Sequence, residues 1–178
     1  MTDAIGNKLE SRLAHLEAIQ DIHALRQRYA LAADAKYHAR GDRHKGAILD
    51  AAVNAQVSCF TPDALWHGGP FGGDIQGREA LRGFFRVSPW HFTSHHYSNV
   101  DLRIQGQRAE GSWRLVEIGV RESDKATVLI TGRTAETYRK DLTEGWLISS
   151  FAFEQLHSVE LSREAGALRC LIPAGEEA

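Results

Sequence analysis

The spacing of the apolar residues changes near residue 93, and this change constrains the fold more than any other feature of the chain. Before it, apolar residues recur every three or four positions, which is typical of helices packed along one side. After it, apolar and polar residues alternate, and Val, Ile, Thr and aromatic residues are frequent, as in β-strands. A chain that forms helices first and strands afterwards is predicted to be an α+β protein.

Four strand-like segments follow the change, and they cover residues 93–105, 108–122, 126–140 and 145–157. The breaks between these segments are only a few residues long, which suits hairpins between antiparallel neighbours. The second half of the chain therefore predicts an antiparallel meander of four long strands.

The first half of the chain predicts three helices and one short strand. The first helix covers residues 8–39, ends before Gly41, and has a buried stripe that consists of Ile22, Leu25, Tyr29 and Ala33. The later elements are a helix over 44–59, a strand over 64–66, and a helix over 77–85 whose Leu81, Phe84 and Phe85 point inward. The glycine-rich segment 68–73 lacks the Gly-Lys-Ser/Thr end of a phosphate-binding loop, so we expect a tight turn there.

The strand over 108–122 is apolar on both faces. Trp113 and Leu115 lie on one face, and Val116, Ile118 and Val120 lie on the other. A domain with a single sheet cannot bury both faces by itself. We therefore expect the sheet to curve strongly into a cone, with one face lining a pocket against the helices and the other packing against a second subunit.

Composition limits the cell compartment and the partners. The 178 residues suit one domain over 1–157, with 158–178 as a C-terminal tail that is partly disordered or draped over a neighbouring subunit. A formal net charge of −2 argues against nucleic-acid and anionic-membrane partners, and no apolar run is long enough to span a membrane. The first residues lack a secretory signal, and Cys59 and Cys170 lie far apart, which predicts free thiols in the cytoplasm.

Residues 90–99 contain three of the nine histidines, at positions 91, 95 and 96. Imidazole is the side chain whose ordinary pKa lets it exchange a proton near neutral pH. His91 and His95 have a spacing that binds metal on a helix, but strand-like residues follow, so we expect no metal. The segment predicts a proton-transfer site instead.

Strand alternation leaves two histidines as candidates for the pocket. Val100, Leu102 and Ile104 share a face with His96 and not with His95. His95 faces the pocket if a bulge intervenes before Asn99, or if the apolar triplet faces a partner subunit. If neither holds, His96 is the pocket histidine.

The order of these elements resembles the SnoaL-like branch of the nuclear-transport-factor-2-like (NTF2-like) superfamily over residues 8–157. The features that carry the resemblance are Tyr29 and Asp34, Phe60, Asp63-Ala64-Leu65-Trp66, Gly77-Arg78-Glu79-Ala80-Leu81, His95-His96-Tyr97-Ser98-Asn99, Trp113, and the run from Gly132 to Tyr138 with Gly145-Trp146. The resemblance implies an NTF2-like cone with N-terminal helices on a strongly curved, mostly antiparallel sheet. It also implies a deep pocket, no cofactor, and a homodimer or homotrimer.

Four positions match the catalytic residues of scytalone and bile-acid dehydratases within this branch. The resemblance implies that His95 is the general base, Asp34 orients it, Tyr29 polarises the substrate and Glu117 assists as an acid. Glu117 departs from the bile-acid type, which carries the shorter aspartate. Tyr29 and Asp34 lie ~140° apart on an ideal helix, so both reach one pocket only if it wraps the helix or the helix bends.

The leading functional hypothesis is a cofactor-independent lyase or isomerase, dehydratase-like, that acts by His/Asp acid–base catalysis on a hydrophobic cyclic or aromatic small molecule. No metal, nucleotide or flavin signature is present in the sequence. The alternatives are a ligand-binding protein without catalysis and the small subunit of an aromatic-ring oxygenase. The expected substrate-binding residues are Trp66, Phe84, Phe85, Trp90, His96, Trp113, Leu115 and Phe151.

Overall fold

The computed structural model describes residues 2–38, 41–69, 72–164 and 167–168. The helices are α1 (Thr2–Asp34), α2 (Gly46–Val57) and α3 (Arg78–Arg86). The strands are β1 (Phe60–His67), β2 (Asp74–Gln76), β3 (Trp90–Gln105), β4 (Arg108–Arg121), β5 (Thr127–Asp141) and β6 (Gly145–Ser162). They form one sheet in the order β2-β1-β6-β5-β4-β3, in which only β1 and β6 are parallel neighbours.

This architecture confirms the predicted α+β class and the meander of four long strands. Three helices pack on a curled, mostly antiparallel sheet. β1 is longer than the predicted strand, and β2 was not predicted, since its three residues are held by backbone pairing beside the glycine-rich segment. β6 continues to Ser162 and so includes the first five residues of the predicted tail. Cys170 and most of the remaining tail lie outside the described residues, whereas Cys59 is a buried free thiol.

Helix α1 packs against α2, β3 and β6, and its predicted stripe of Ile22, Leu25, Tyr29 and Ala33 is buried. The helix ends five residues before the predicted end, although no glycine or proline occurs there. Instead, the following residues pair with each other: Tyr37 forms a β-bridge with Arg43, and the His44 N–H donates to the Lys36 carbonyl. Among the described helices, none has an apolar stretch long enough to cross a membrane.

A bulge in β3 decides which histidine faces the concave side of the sheet. The register with β4 shifts between Ser98 and Asp101, and Asn99 has a φ of +48°, a backbone conformation that Asn tolerates better than most residues. Because the bulge inserts one residue, His95 and Leu102 both face inward. A bulge is one of the two conditions under which His95 faces the pocket, and the structure has one at Asn99 and Val100, not before Asn99.

The opposite face of β4 is only partly covered within the chain. Val116 is 41% exposed, Ile118 is half-buried, and Val120 is already buried. Packing of this face against a second subunit stays a prediction.

A buried ion pair lies beside the cavity that α1 and the sheet enclose. Arg26 Nη2 is 3.1 Å from Glu136 Oε1, and neither side chain is more than 1% exposed. Thr134 and Tyr138 donate hydrogen bonds to the Glu136 carboxylate, and the Trp113 indole N–H donates to the Tyr138 oxygen at 2.8 Å. These contacts join α1 to β4 and β5 through groups that cannot be solvated by bulk water.

Removal of one member of this pair should destabilise the fold strongly. Glu136→Leu leaves the Arg26 charge buried without its partner, and we expect the free energy of unfolding in urea to fall by about 3–5 kcal/mol. The double variant Arg26→Met/Glu136→Leu should recover most of this loss, because it removes both charges.

The matched control is Glu154→Leu, which breaks the exposed Arg133–Glu154 pair on the surface. The control should change the free energy of unfolding far less than Glu136→Leu. Equal effects of the two single variants would show that the buried pair does not hold α1 to the sheet.

Candidate active site

A cavity of about 250 Å³ lies between the C-terminal end of α1, helix α3 and the concave faces of β3 and β4. Its lining combines aromatic side chains with a small number of ionisable ones. The lining includes five of the predicted substrate-binding residues, namely Trp66, Phe84, Phe85, Trp90 and Leu115. The lining also includes three of the predicted catalytic residues, namely Tyr29, His95 and Glu117.

Asp34 binds His95 through both of its carboxylate oxygens. Oδ1 is 2.6 Å from the ring Nδ1, and Oδ2 accepts the backbone N–H of His95 at 3.0 Å. A carboxylate can only accept here, so Nδ1 carries a hydrogen and the neutral ring keeps its lone pair on Nε2. The contact therefore fixes both the tautomer and the orientation of the ring.

The early end of α1 explains how Tyr29 and Asp34 serve one site. Asp34 is the last residue of the helix, and Tyr29 lies on its buried face. The cavity is lined by Tyr29 and also by Tyr37, beyond the helix end. The cavity therefore extends around the end of α1. Tyr29 and Asp34 can serve one site without a bend in the helix, although they lie ~140° apart around its axis.

Glu117 lies directly across from His95 in the pairing of β3 with β4. Its Oε2 is 3.6 Å from His95 Nε2, and the residue is only 7% exposed. Burial raises the pKa of Glu117, although the nearby His95 opposes the shift. The carboxyl group therefore holds a proton at a higher pH than an ordinary glutamate.

The pKa of His95 is raised as well, for a different reason. Burial alone lowers it, but the charges of Glu117 and Asp34 and the hydrogen bond that the ring donates to Asp34 raise it by more. Two acids on opposite sides of the ring favour the protonated form. Both His95 and Glu117 therefore hold a proton at a higher pH than the isolated groups would.

Tyr29 is buried among aromatic rings, with edge contacts to Phe60, Phe85 and Tyr97. Burial raises the pKa of its hydroxyl, and the charge of Arg26 only partly offsets this. The phenol therefore stays neutral and can donate a hydrogen bond into the cavity.

Lys36 and Tyr97 are two of the cavity-lining residues that sequence reasoning missed. The Tyr97 ring is nearly parallel to the His95 ring, with centroids 6.3 Å apart. The Arg26 guanidinium carbon lies 3.7 Å from the centroid of the Tyr97 ring. Lys36 is 4% exposed. No sequence signal identifies Lys36, because the predicted continuation of the helix to residue 39 hides that the chain turns inward there.

Three predicted substrate-binding residues lie outside the cavity lining. Trp113 and Phe151 face inward but belong to the core below it: Trp113 contacts His23 of α1 edge-on, and Phe151 stacks on Trp66 at 4.2 Å. His96 is exposed on the opposite face of the sheet, where its Nε2 is 3.3 Å from Ser94 Oγ. His96 faces away from the cavity because side chains alternate between the two faces of a strand. The rings of Trp113 and Phe151 face inward, but their positions along the strands place them in the core and not in the cavity lining.

The third histidine of the segment, His91, lies near the surface with its Nδ1 3.1 Å from Glu122 Oε2. Within the described part of the chain, no three His, Cys, Asp or Glu side chains are grouped so that they could hold a metal ion.

The comparisons with known proteins agree with this architecture. The family model of the SnoaL-like domain matches residues 14–152. No curated protein sequence is significantly similar to the chain. Among solved structures, a proposed scytalone dehydratase from Novosphingobium aromaticivorans DSM 12444 has a TM-score of 0.65 at 14% identity, covering 96% of this chain and 99% of its own.

Two further structures are similar over most of their length. The hexachlorocyclohexane dehydrochlorinase LinA-type3 from Novosphingobium barchaimii LL02 has a TM-score of 0.65 at 18% identity, covering 91% of this chain and 97% of its own. A proposed aromatic ring hydroxylase from Novosphingobium aromaticivorans has a TM-score of 0.64 at 20% identity, covering 81% and 94%. The chain belongs to the SnoaL-like family within the NTF2-like superfamily, as its sequence predicted.

The raised pKa of His95 can be measured directly. In an NMR titration, the His95 ring should titrate above the ordinary histidine value of about 6.5, and Glu117→Gln should lower its pKa because it removes a negative charge beside Nε2. The same shift makes protonation of His95 stabilising. That stability is complete below the pKa of the unfolded chain and is lost as the pH rises through the folded pKa.

Spectra of His95→Asn identify the resonance, and Glu154→Gln, on the surface, serves as the charge control. A His95 pKa at or below the ordinary value, or one that Glu117→Gln leaves unchanged, would contradict the electrostatic description of the site.

Proposed function

We propose that this protein is a cofactor-independent lyase or isomerase of the dehydratase type, with His95 as its general base. The observation that carries the proposal is the 2.6 Å contact between Asp34 and His95 Nδ1, which leaves Nε2 as the proton acceptor of a ring that lines the cavity. A base held in one tautomer and one orientation by a carboxylate is suited to repeated proton transfer.

The reaction that fits these groups begins next to a carbonyl group of the substrate. His95 Nε2 removes a proton from the α-carbon, and the electron pair moves toward the carbonyl oxygen, which accepts a hydrogen bond from the neutral Tyr29 hydroxyl. Asp34 stabilises the resulting imidazolium. The proton of Glu117 then goes to a hydroxyl group on the β-carbon, which leaves as water while the C=C bond forms.

An isomerase would use the same first step. Instead of losing a β-substituent, the enolate would take the proton back at another carbon from the His95 imidazolium. The two reactions differ only in whether a leaving group is present next to the enolate.

The aromatic walls favour a flat, apolar substrate. Trp66, Phe84, Phe85 and Leu115 give the cavity apolar sides, and His95 and Glu117 supply polar groups from β3 and β4. This arrangement favours a cyclic or aromatic molecule with one polar edge. The names dehydratase and dehydrochlorinase, carried by two of the similar structures, both describe eliminations and are compatible with this chemistry.

The assembly and the compartment are part of the same proposal. We infer a homodimer or homotrimer in which the outer face of β4 is covered, because Val116 on that face is exposed in the single chain. We infer a cytoplasmic location, with which the free thiol of Cys59 is compatible.

The adjacent histidines provide a matched pair of variants. His95→Asn keeps a polar side chain beside Asp34 but removes the base, and should lower kcat/KM for elimination by about 10²–10⁴-fold. His96→Asn alters an exposed residue on the other face and should change kcat/KM little. The assay follows the enone absorbance formed from a panel of cyclic β-hydroxy ketones, and the melting temperatures of both variants confirm folding.

Full activity of His95→Asn would refute the assignment of the base. Binding of the ketones by the wild-type protein without any turnover would favour the alternative, a ligand-binding protein without catalysis.

A further inference from the structure

The side chain of Lys36 enters the cavity from the segment that follows α1. The backbone at this position is fixed, because the Lys36 carbonyl accepts the His44 N–H at 2.9 Å and the next residue, Tyr37, pairs with Arg43. Only 4% of the residue is exposed, and it lines the same cavity as His95 and Glu117. The amine is therefore directed into the cavity and away from bulk solvent.

Lys36 is not part of a structural ion pair. Among the described residues, its Nζ has no hydrogen bond or salt bridge, and it lies 5.6 Å from the ring centroid of Phe85 and 5.9 Å from that of Tyr37. A buried ammonium without a counter-ion is unfavourable, and proteins usually pair it or lose its proton. The side chain therefore needs an explanation other than fold stability.

The surroundings of Lys36 increase the fraction of its amine that is neutral. Burial lowers its pKa to about 8, and the positive charge of Arg43 acts in the same direction, whereas Asp34 and Glu117 oppose the shift. Arg43 cannot move away easily, since it donates to the carbonyl oxygens of Phe85 and Ser88. Roughly a tenth of the Lys36 side chains are then neutral at pH 7, against less than about a thousandth for an ordinary lysine.

We propose that Lys36 is a nucleophilic amine that forms an imine with aldehydes and ketones that enter the cavity. A desolvated lysine in an apolar site is a suitable nucleophile for a carbonyl carbon. The cavity supplies the apolar walls that hold such a ligand, and His95 and Glu117 are the groups that can carry protons during the reaction.

Imine formation needs no reagent beyond the ligand and the protein. The nitrogen lone pair adds to the carbonyl carbon, and one N–H proton moves to the oxygen, which gives a carbinolamine. The C–O bond then breaks, the oxygen leaves as water with the second N–H proton, and the C=N bond forms. His95 and Glu117 can relay these two protons.

Imine formation at Lys36 deepens the proposed function. It rests on that function only for the next step, the removal of the α-proton by His95. A protonated imine accepts the electron pair of a broken C–H bond better than a carbonyl group does, so His95 would remove the α-proton more readily. The preferred substrates would then be aldehydes or ketones with a leaving group on the β-carbon.

Reductive trapping tests the amine without knowledge of the natural substrate. The full chain is incubated at pH 7 with benzaldehyde and sodium cyanoborohydride, which reduces an imine to a stable secondary amine, and peptide mass spectrometry measures the adduct at each lysine. Lys36 should be labelled at least about tenfold faster than the exposed Lys45 and Lys140, because more of it is neutral. Labelling of Lys36 no faster than that of these two residues would overturn the proposal.

Two variants serve as controls for the site. Lys36→Met removes the amine and Lys36→Arg keeps a positive charge without the nucleophile; both should lose the fast adduct and keep the slow labelling of Lys45 and Lys140. The wild-type map decides the question even if a variant fails to fold. Elimination activity without fast labelling at Lys36 would refute the imine and leave the His95 mechanism, whereas fast labelling without turnover would support the imine and refute elimination.

Discussion

The contact between Asp34 and His95 joins the end of the first helix to the first half of the third strand, 61 residues later in the chain. One carboxylate oxygen binds the ring and the other binds the backbone N–H of the same residue. The contact forms only if α1 ends at Asp34, if the sheet curls around the helix, and if His95 faces inward. The rest of the site depends on these three conditions, because Glu117 and Lys36 take their positions relative to the same ring and the same helix end.

Different physical causes shift the pKa values of Glu117, His95 and Lys36. Burial raises the pKa of Glu117, neighbouring acids raise that of His95 in spite of burial, and burial lowers that of Lys36. A group of side chains with perturbed pKa values in one cavity is typical of proton-transfer sites. The Arg26–Glu136 pair differs from these three groups, because its two charges face each other and neither residue lines the cavity. The pair joins α1 to the sheet beside the cavity.

The sequence predicts the strands and the helix order well, because hydrophobic spacing reports directly on which faces are buried. It fails where a contact between distant residues overrides local preference. Residues 35–39 contain no helix breaker, yet the helix stops at Asp34 because the Tyr37–Arg43 bridge replaces its next turn, and this same turn brings Lys36 inward. Alternation places Trp113 on the inner face correctly, but spacing cannot distinguish a ring in the core from one in a cavity.

The central claim is that Asp34 makes His95 an effective base toward carbon acids. Exchange of α-hydrogens of cyclic ketones in D₂O, followed by proton NMR, measures this step alone and does not require a leaving group. We predict that the wild-type protein accelerates exchange for at least one ketone such as 2-tetralone, and that Asp34→Asn, which keeps the hydrogen-bonding shape but removes the charge, slows it by about 10–100-fold. Exchange that is absent for every ketone, or equally fast in the variant, would contradict the account.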